Sequence, residues 1–290
     1  MTVAPGIIFF TDALAAPDLE AFARRLEALE YDVLLVPEFF GREPYAAVSF
    51  LLARTERLKI ATGIANVYSH DAIVAAQARQ TLAELSGGRF ILGLGVSHPP
   101  MAEAHGLEWI PPARKMRAYL DTIEGTEVQS PKPTEPAPIW LAAHGPKLLQ
   151  LAAQRAAAAN VYLMPTAHLS NAREIVGPDF RLNVVLPCCL TDDPSVGRRI
   201  GRKALGIYLP LDAYRRAWRS WGFTDADFEN GGSDHLIDTL VAWGDETKIR
   251  ERMQAYLAAG ASQIELSVLN PEGRGPHWKL LEALAPANGS

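Results

Sequence analysis

The sequence predicts an α/β fold in which eight parallel strands, each followed by a helix, close into a barrel. Three observations predict it. Short apolar runs of strand length alternate with segments of helical periodicity along the whole 290-residue chain. Those runs are almost continuously hydrophobic rather than alternating, as strands covered on both faces must be. The chain also exceeds the ~250 residues usual for such a barrel by enough to carry insertions.

The elements follow in order. "GIIFF" from Gly6 is a buried strand, and "PDLEAFARRLEALE" from Pro17 places Leu19, Phe22, Leu26 and Leu29 at helical spacing. "YDVLLVPE" from Tyr31 is the second strand, with "PYAAVSFLLARTERL" from Pro44 its helix, proline occupying the first turn. "KIATGIAN" from Lys59 is the third strand, and "DAIVAAQARQTLAELS" opens on the N-cap candidate Asp71 and stops at Gly87. Strand four runs from Phe90 to Val96, and a loop holding "PPMAEAHGLEWIPP" precedes a helix from Ala113 to about Glu124. "PAPIWLAA" and "NVYLMP" are strands five and six, followed by the helices "GPKLLQLAAQRA" and "TAHLSNAREIV". "RLNVVLPCCL" from Arg181 is strand seven, with a long helical region from Pro194 to Gly222 after it. "GGSDHLIDTLVAWG" and "DETKIRERMQAYLAAG" are two further helices, "QIELSVLN" from Gln263 is strand eight, and "HWKLLEALA" closes the chain. The prediction is a single (β/α)8 TIM barrel, residues 1–290 forming one domain, with insertions after strands 4 and 7. An open doubly wound sheet is the competing arrangement.

With 48% hydrophobic and 21% charged residues the chain can bury a large core. A net charge of -5 gives no general attraction to nucleic acid, and the one basic stretch, "GRRIGRK" from Gly197, reads as a solvated helix face. The two cysteines, Cys188 and Cys189, are adjacent and offer neither a disulfide framework nor metal-ligand spacing, so a reducing cytoplasm is expected. The apolar N-terminal run lacks a basic leader and is broken by Asp12, no run is long enough to cross a bilayer, and the seven histidines include no H-E-x-x-H pair. Neither a metal nor a membrane is expected.

In a barrel of this kind the active site lies at the C-terminal ends of the strands. "GLGVSHPP" therefore puts Gly93, Gly95, Val96, Ser97 and His98 at the mouth, where glycine lets a ligand approach the backbone. The string fails as a dinucleotide fingerprint, because His98 stands where the third glycine belongs. Glu38 follows a wholly apolar strand, where a carboxylate is costly without a partner or a task. In "AAHGPK", Ala143, His144 and Gly145 end a strand and Pro146 starts a helix, so free N–H groups and Lys147 form a candidate anion site. "GLEWIPP" and "YLPLDAYRRAWRSWGF" suggest a lid with an apolar lining.

"TERLKIATGIANVYSHDAIVAAQARQTLAELSGGRFILGLGVSHPPM", "GPKLLQLAAQRA" and "GGSDHLIDTLVAWGD" resemble the bacterial luciferase-like superfamily and, within it, the actinobacterial coenzyme F420-dependent oxidoreductases. The resemblance runs from about Tyr31 to Asn270. It implies that the deazaflavin F420, or alternatively FMN, sits at the strand ends. The ring's back face would rest on a bulge near Ile64, Ala65 and Asn66, often containing a non-proline cis peptide. Gly95, Val96 and Ser97 would lie along the ring, and Gly145, Pro146 and Lys147 would receive the phosphate. Glu38 and His98 match the family's acid and base positions, although Phe39 stands where some members carry histidine. The implied reaction is hydride transfer to or from a small organic substrate. A flavin-dependent monooxygenase and a non-catalytic binding barrel are the other readings, and a homodimer is compatible with all three.

Overall fold

The structure is a computed structural model describing residues 3–286. Its eight barrel strands are β1 (Gly6–Ile8), β2 (Val33–Val36), β3 (Lys59–Thr62), β4 (Phe90–Gly95), β5 (Ile139–Ala142), β6 (Ala158–Tyr162), β7 (Arg181–Leu190) and β8 (Gln263–Val268). Each pairs in parallel with the next, and β8 returns to β1 in the register Gly6↔Glu265, Ile7↔Leu266. That last pairing makes a closed barrel, as expected, and rules out the open sheet. Closure leaves no barrel strand with an unpaired edge.

Side chains along each strand divide into two layers. Leu34, Ile60, Phe90, Leu141 and Val161 face the helices, whereas Val33, Leu35, Ala61, Ile91, Trp140 and Ala158 form a separate cluster. The helices answer with one apolar stripe each: Ala16–Ala28 buries Leu19, Phe22, Ala23 and Leu26. Asp71 caps its helix as expected, accepting from Ile73 N at 2.8 Å.

Part of the barrel interior is polar, which the strand reading did not foresee. Arg181 Nε donates to Asn183 Oδ1 at 3.2 Å, Asn183 Nδ2 to Asn160 Oδ1 at 3.0 Å, and Asn160 Nδ2 to Glu265 Oε2 at 3.2 Å. Asn183, Gln263 and Glu265 are all 0% exposed.

Two other expectations are corrected. Residues 99–104, read as loop, form the short helix Pro99–Ala104, since prolines at the first turn give up no needed N–H and Met101 and Ala102 are buried beneath it. The helix read through Gly244 ends at Leu240, and Ala242–Gly244 is a short strand pairing with Cys188–Leu190. β7 extends past its other partners there, and its exposed N–H and C=O groups are satisfied by that strand. The two longest connections, residues 96–138 and 191–262, carry the extra helices. Among the described residues no helix is long and apolar enough to cross a membrane.

Candidate active site

The site begins with a break in β3. Ile60 and Ala61 pair with Phe90 and Ile91, and the ladder then lapses until Ala65–Asn66 pair with Leu94–Gly95. Across the gap Thr62 Oγ1 donates to Gly93 O at 2.7 Å and accepts from Gly93 N at 2.9 Å. The hydroxyl thereby replaces the missing backbone partner. The Gly63–Ile64 peptide in this bulge is cis.

The same geometry constrains both mouth glycines. A Cβ on Gly93 would lie 1.8 Å from Thr62 O, so that glycine is required by strand packing. A Cβ on Gly95 would lie 2.6 Å from Ile64 Cγ1, so a side chain of the bulge occupies the Cβ direction there. Ile64 and Gly95 both line the mouth cavity.

Glu38 fastens the bulge. Its Oε2 accepts from Asn66 N at 2.7 Å and lies 3.1 Å from His70 Nε2, with the Glu38 side chain 9% exposed. Burial works to raise the carboxyl's pKa, but the hydrogen bonds from His70 and Asn66 N prevail and hold it below the ordinary carboxylate range. Glu38 is thus an anion at neutral pH. His70, in the quoted "GIANVYSHD", is a site residue that the sequence reading left unassigned.

The cavity has a volume of ≈ 380 Å³, within the range of small-molecule sites. Of the predicted residues, Glu38, Gly95, Val96, Ser97, His98, Ala143 and His144 line it. Ala65 and Asn66 stand behind it, 1% and 2% exposed. Gly145, Pro146 and Lys147 are not part of its lining. They open the helix Pro146–Arg155, whose N-cap Gly145 supplies no side-chain cap and has open space where a Cβ would project. Ser97 holds φ 54°, in the left-handed region that costs a side-chain-bearing residue about 1 kcal/mol or more.

Burial lowers the pKa of His98 to about 4, His144 adding to the effect, and burial alone brings His144 to about 4. Both imidazoles are neutral at pH 7. They face an aromatic wall from the β7–β8 connection: Tyr214 lies 5.7 Å from His98 and 5.2 Å from His144, ring centre to ring centre. Tyr208 extends the wall and meets Tyr162 at the end of β6, and Ile207 and Leu211 complete it. Trp218 Nε1 anchors the wall to the barrel by donating to Leu163 O at 2.8 Å. The second expected lid segment, "GLEWIPP", goes elsewhere. Its Trp109 stacks on Tyr68 at 5.4 Å, and Ile110 N donates to Tyr68 Oη at 2.8 Å.

Sequence comparison places this chain in a known group. The profile of the luciferase-like monooxygenases matches residues 11–263. The chain belongs to that family. Among its relatives, a Mycobacterium tuberculosis protein assigned to the coenzyme F420-dependent oxidoreductases is 25% identical, the match covering 83% of this chain and 88% of the relative. A 5,10-methylenetetrahydromethanopterin reductase of Archaeoglobus fulgidus is 30% identical over 51% of this chain, and the chain spans about half of that reductase's length (50%). An F420-dependent secondary alcohol dehydrogenase, solved with an F420-acetone adduct, shares the fold at a TM-score of 0.76, 14% identity, and coverage of 98% and 97%.

A flat ring placed at this mouth would meet apolar surface, supplied by Ile64 and Val96. Behind the lining, Asn66, paired in the ladder with Gly95, has a buried Nδ2 without a hydrogen-bond partner among the described residues.

Proposed function

We propose that this chain, as one luciferase-like barrel domain over residues 1–290, is a coenzyme F420-dependent oxidoreductase acting on a small organic alcohol or carbonyl compound. The observation that carries the reading is the pairing, in one cavity, of neutral imidazoles at His98 and His144 with an anionic Glu38 already engaged by the β3 bulge. The M. tuberculosis relative, matched over most of both chains, supports the choice of cofactor.

Asn66, Gly95, Val96 and Ser97 would hold the ring, with Ala65 behind it, Ala143 and His144 at its edge, and Gly145, Pro146 and Lys147 toward its phosphate. When bound, a deazaflavin accepts or gives a hydride at a ring carbon. His98 then handles the proton. As hydride leaves a carbinol carbon, the neutral imidazole accepts the hydroxyl proton, and in the reverse direction the imidazolium returns it to the carbonyl oxygen. Glu38 is a positioning residue: it fixes Asn66 and His70 rather than exchanging the substrate's proton. The aromatic wall excludes water from the reacting carbon.

FMN is the second reading, supported by the family's description and by a fold shared with an FMN-bound Baeyer–Villiger monooxygenase from Pseudomonas putida (TM-score 0.70, 15% identity, 98% and 97% covered). Absorbance titration of the purified protein with each cofactor separates the two. F420 is expected to bind more tightly, its longer anionic tail reaching the helix start after His144. Equal or reversed affinity overturns the assignment.

A further inference from the structure

A second chamber of ≈ 480 Å³ adjoins the first. The two share Ile8, Phe10, Tyr162, Ile207, Tyr208 and Ser267 in their walls, so a ligand in one contacts side chains that also bound the other. One side of the second chamber is the helix Pro194–Leu205 and the turn after it, the segment carrying "GRRIGRK". Ile200, Lys203, Ala204 and Ile207 line the chamber at spacing i, i+3, i+4 and i+7, which is one helix face. The loop after β8 also contributes, with Arg274 lining the chamber. That loop is tied down by Asn270, whose Nδ2 donates to Gly275 O at 3.0 Å and whose Oδ1 accepts from Glu272 N at 2.8 Å.

The charges on this helix are divided. Arg198 pairs with Asp234 and Asp238, and Arg202 pairs with Asp234. Lys203 and Arg274 have no ion-pair partner among the described residues. One carboxylate, Asp12, also lines the chamber, and its Oδ1 accepts from Arg42 N at 2.7 Å. Two cations against one anion leave a net positive charge, whereas the first chamber holds the anionic Glu38. Between the charges the lining is apolar, with Ile8, Phe10, Val268 and Leu269.

We propose that the second chamber holds the anionic end, a carboxylate or phosphate, of an otherwise apolar substrate whose reacting carbon lies in the first chamber. The proposal rests on the reading of the first chamber as the site of hydride transfer. Lys203 and Arg274 supply charge-assisted contacts to the anion, Glu38 disfavours the reversed orientation, and the apolar lining takes the chain between. The basic stretch is then a specificity element rather than a solvated face alone.

Calorimetry on the full chain, before and after adding F420, with hexyl phosphate and hexan-1-ol as probes, tests this. Hexyl phosphate should bind about tenfold more tightly than hexan-1-ol, the preference shrinking as salt is raised. The double variant Lys203→Ala, Arg274→Ala should lose the preference, with wild-type melting temperature and unchanged affinity for F420. No preference in the wild type, or an undiminished one in the variant, overturns the proposal. Weakened F420 binding in the variant overturns it differently, by giving the chamber to the cofactor's anionic tail. Failure of F420 to bind the wild type counts against the proposed function, and the hexyl phosphate arm still decides whether the chamber is an anion site.

Discussion

Glu265→Gln should stabilise the protein at alkaline pH. Glu265 lies on β8, wholly buried, with Asn160 donating to Oε2 and, among the described residues, nothing donating to Oε1. Burial raises its pKa from 4.5 to about 8, outweighing the opposing pull of Arg181. The folded protein therefore holds this proton more tightly than the unfolded chain does. Its stabilising effect is complete below about 4.5, declines as pH rises from there to about 8, and is lost above. At about 1.36 kcal/mol per pH unit this interval is worth about 5 kcal/mol, of which roughly 4 kcal/mol falls between pH 5 and pH 9. That is a large share of the ~5–15 kcal/mol that holds an ordinary domain together. Glutamine keeps the shape of the protonated acid and cannot ionise. Urea unfolding at pH 5, 7 and 9 should show wild type losing roughly 4 kcal/mol more than the variant across the range, with equal m-values. Parallel pH profiles, or a variant less stable than wild type at pH 9, would refute the reasoning and make Glu265 an ionised partner of Arg181.

Gly93→Ala should cost about 3 kcal/mol or more, because its Cβ meets backbone at Thr62, whereas Gly95→Ala should cost roughly 1–3 kcal/mol, since Ile64 can turn aside; thermal melting ranks the two, and equal losses would contradict the bulge geometry. Ser97→Gly should gain about 1 kcal/mol by relieving the positive φ, read by the same method. His98→Ala should lower turnover by about 100-fold or more while leaving cofactor affinity nearly unchanged, as a proton-transfer residue does. Because burial holds the His98 pKa near 4, the proton-accepting form persists below pH 6.5, so wild-type kcat/KM in the alcohol-oxidising direction should show no acid-side fall from this group until about pH 4 to 5. A fall centred near 6.5 that disappears in the variant would mean the imidazole titrates as if solvated.

Near-continuous apolar runs between amphipathic segments are written locally, and they sufficed for the eight strands and their order, because strand and helix periodicities are properties of neighbouring residues. Placing Glu38, Ser97, His98 and His144 at one mouth also followed from sequence, since each stands just beyond a strand and the fold collects strand ends. Glu265 was missed although "QIELSV" puts Gln263, Glu265 and Ser267 on one strand face, a polar alternation that marks a polar lumen. Other features had no local signal. That Gly93 yields to Thr62, that Gly95 shelters Ile64, and that Glu38 grips Asn66 and His70 depend on the β3–β4 register. The neutrality of His98 depends on burial and on His144, and the rings nearest it, Tyr208 and Tyr214, lie more than a hundred residues away in the chain. The sequence by itself determined the alternation, the barrel and the strand ends from which its mouth is built. The tertiary structure alone decided which of them are charged, which are packing partners, and that Lys203 and Arg274 face one chamber, because burial, desolvation and charge pairing are set by side chains that only folding brings together.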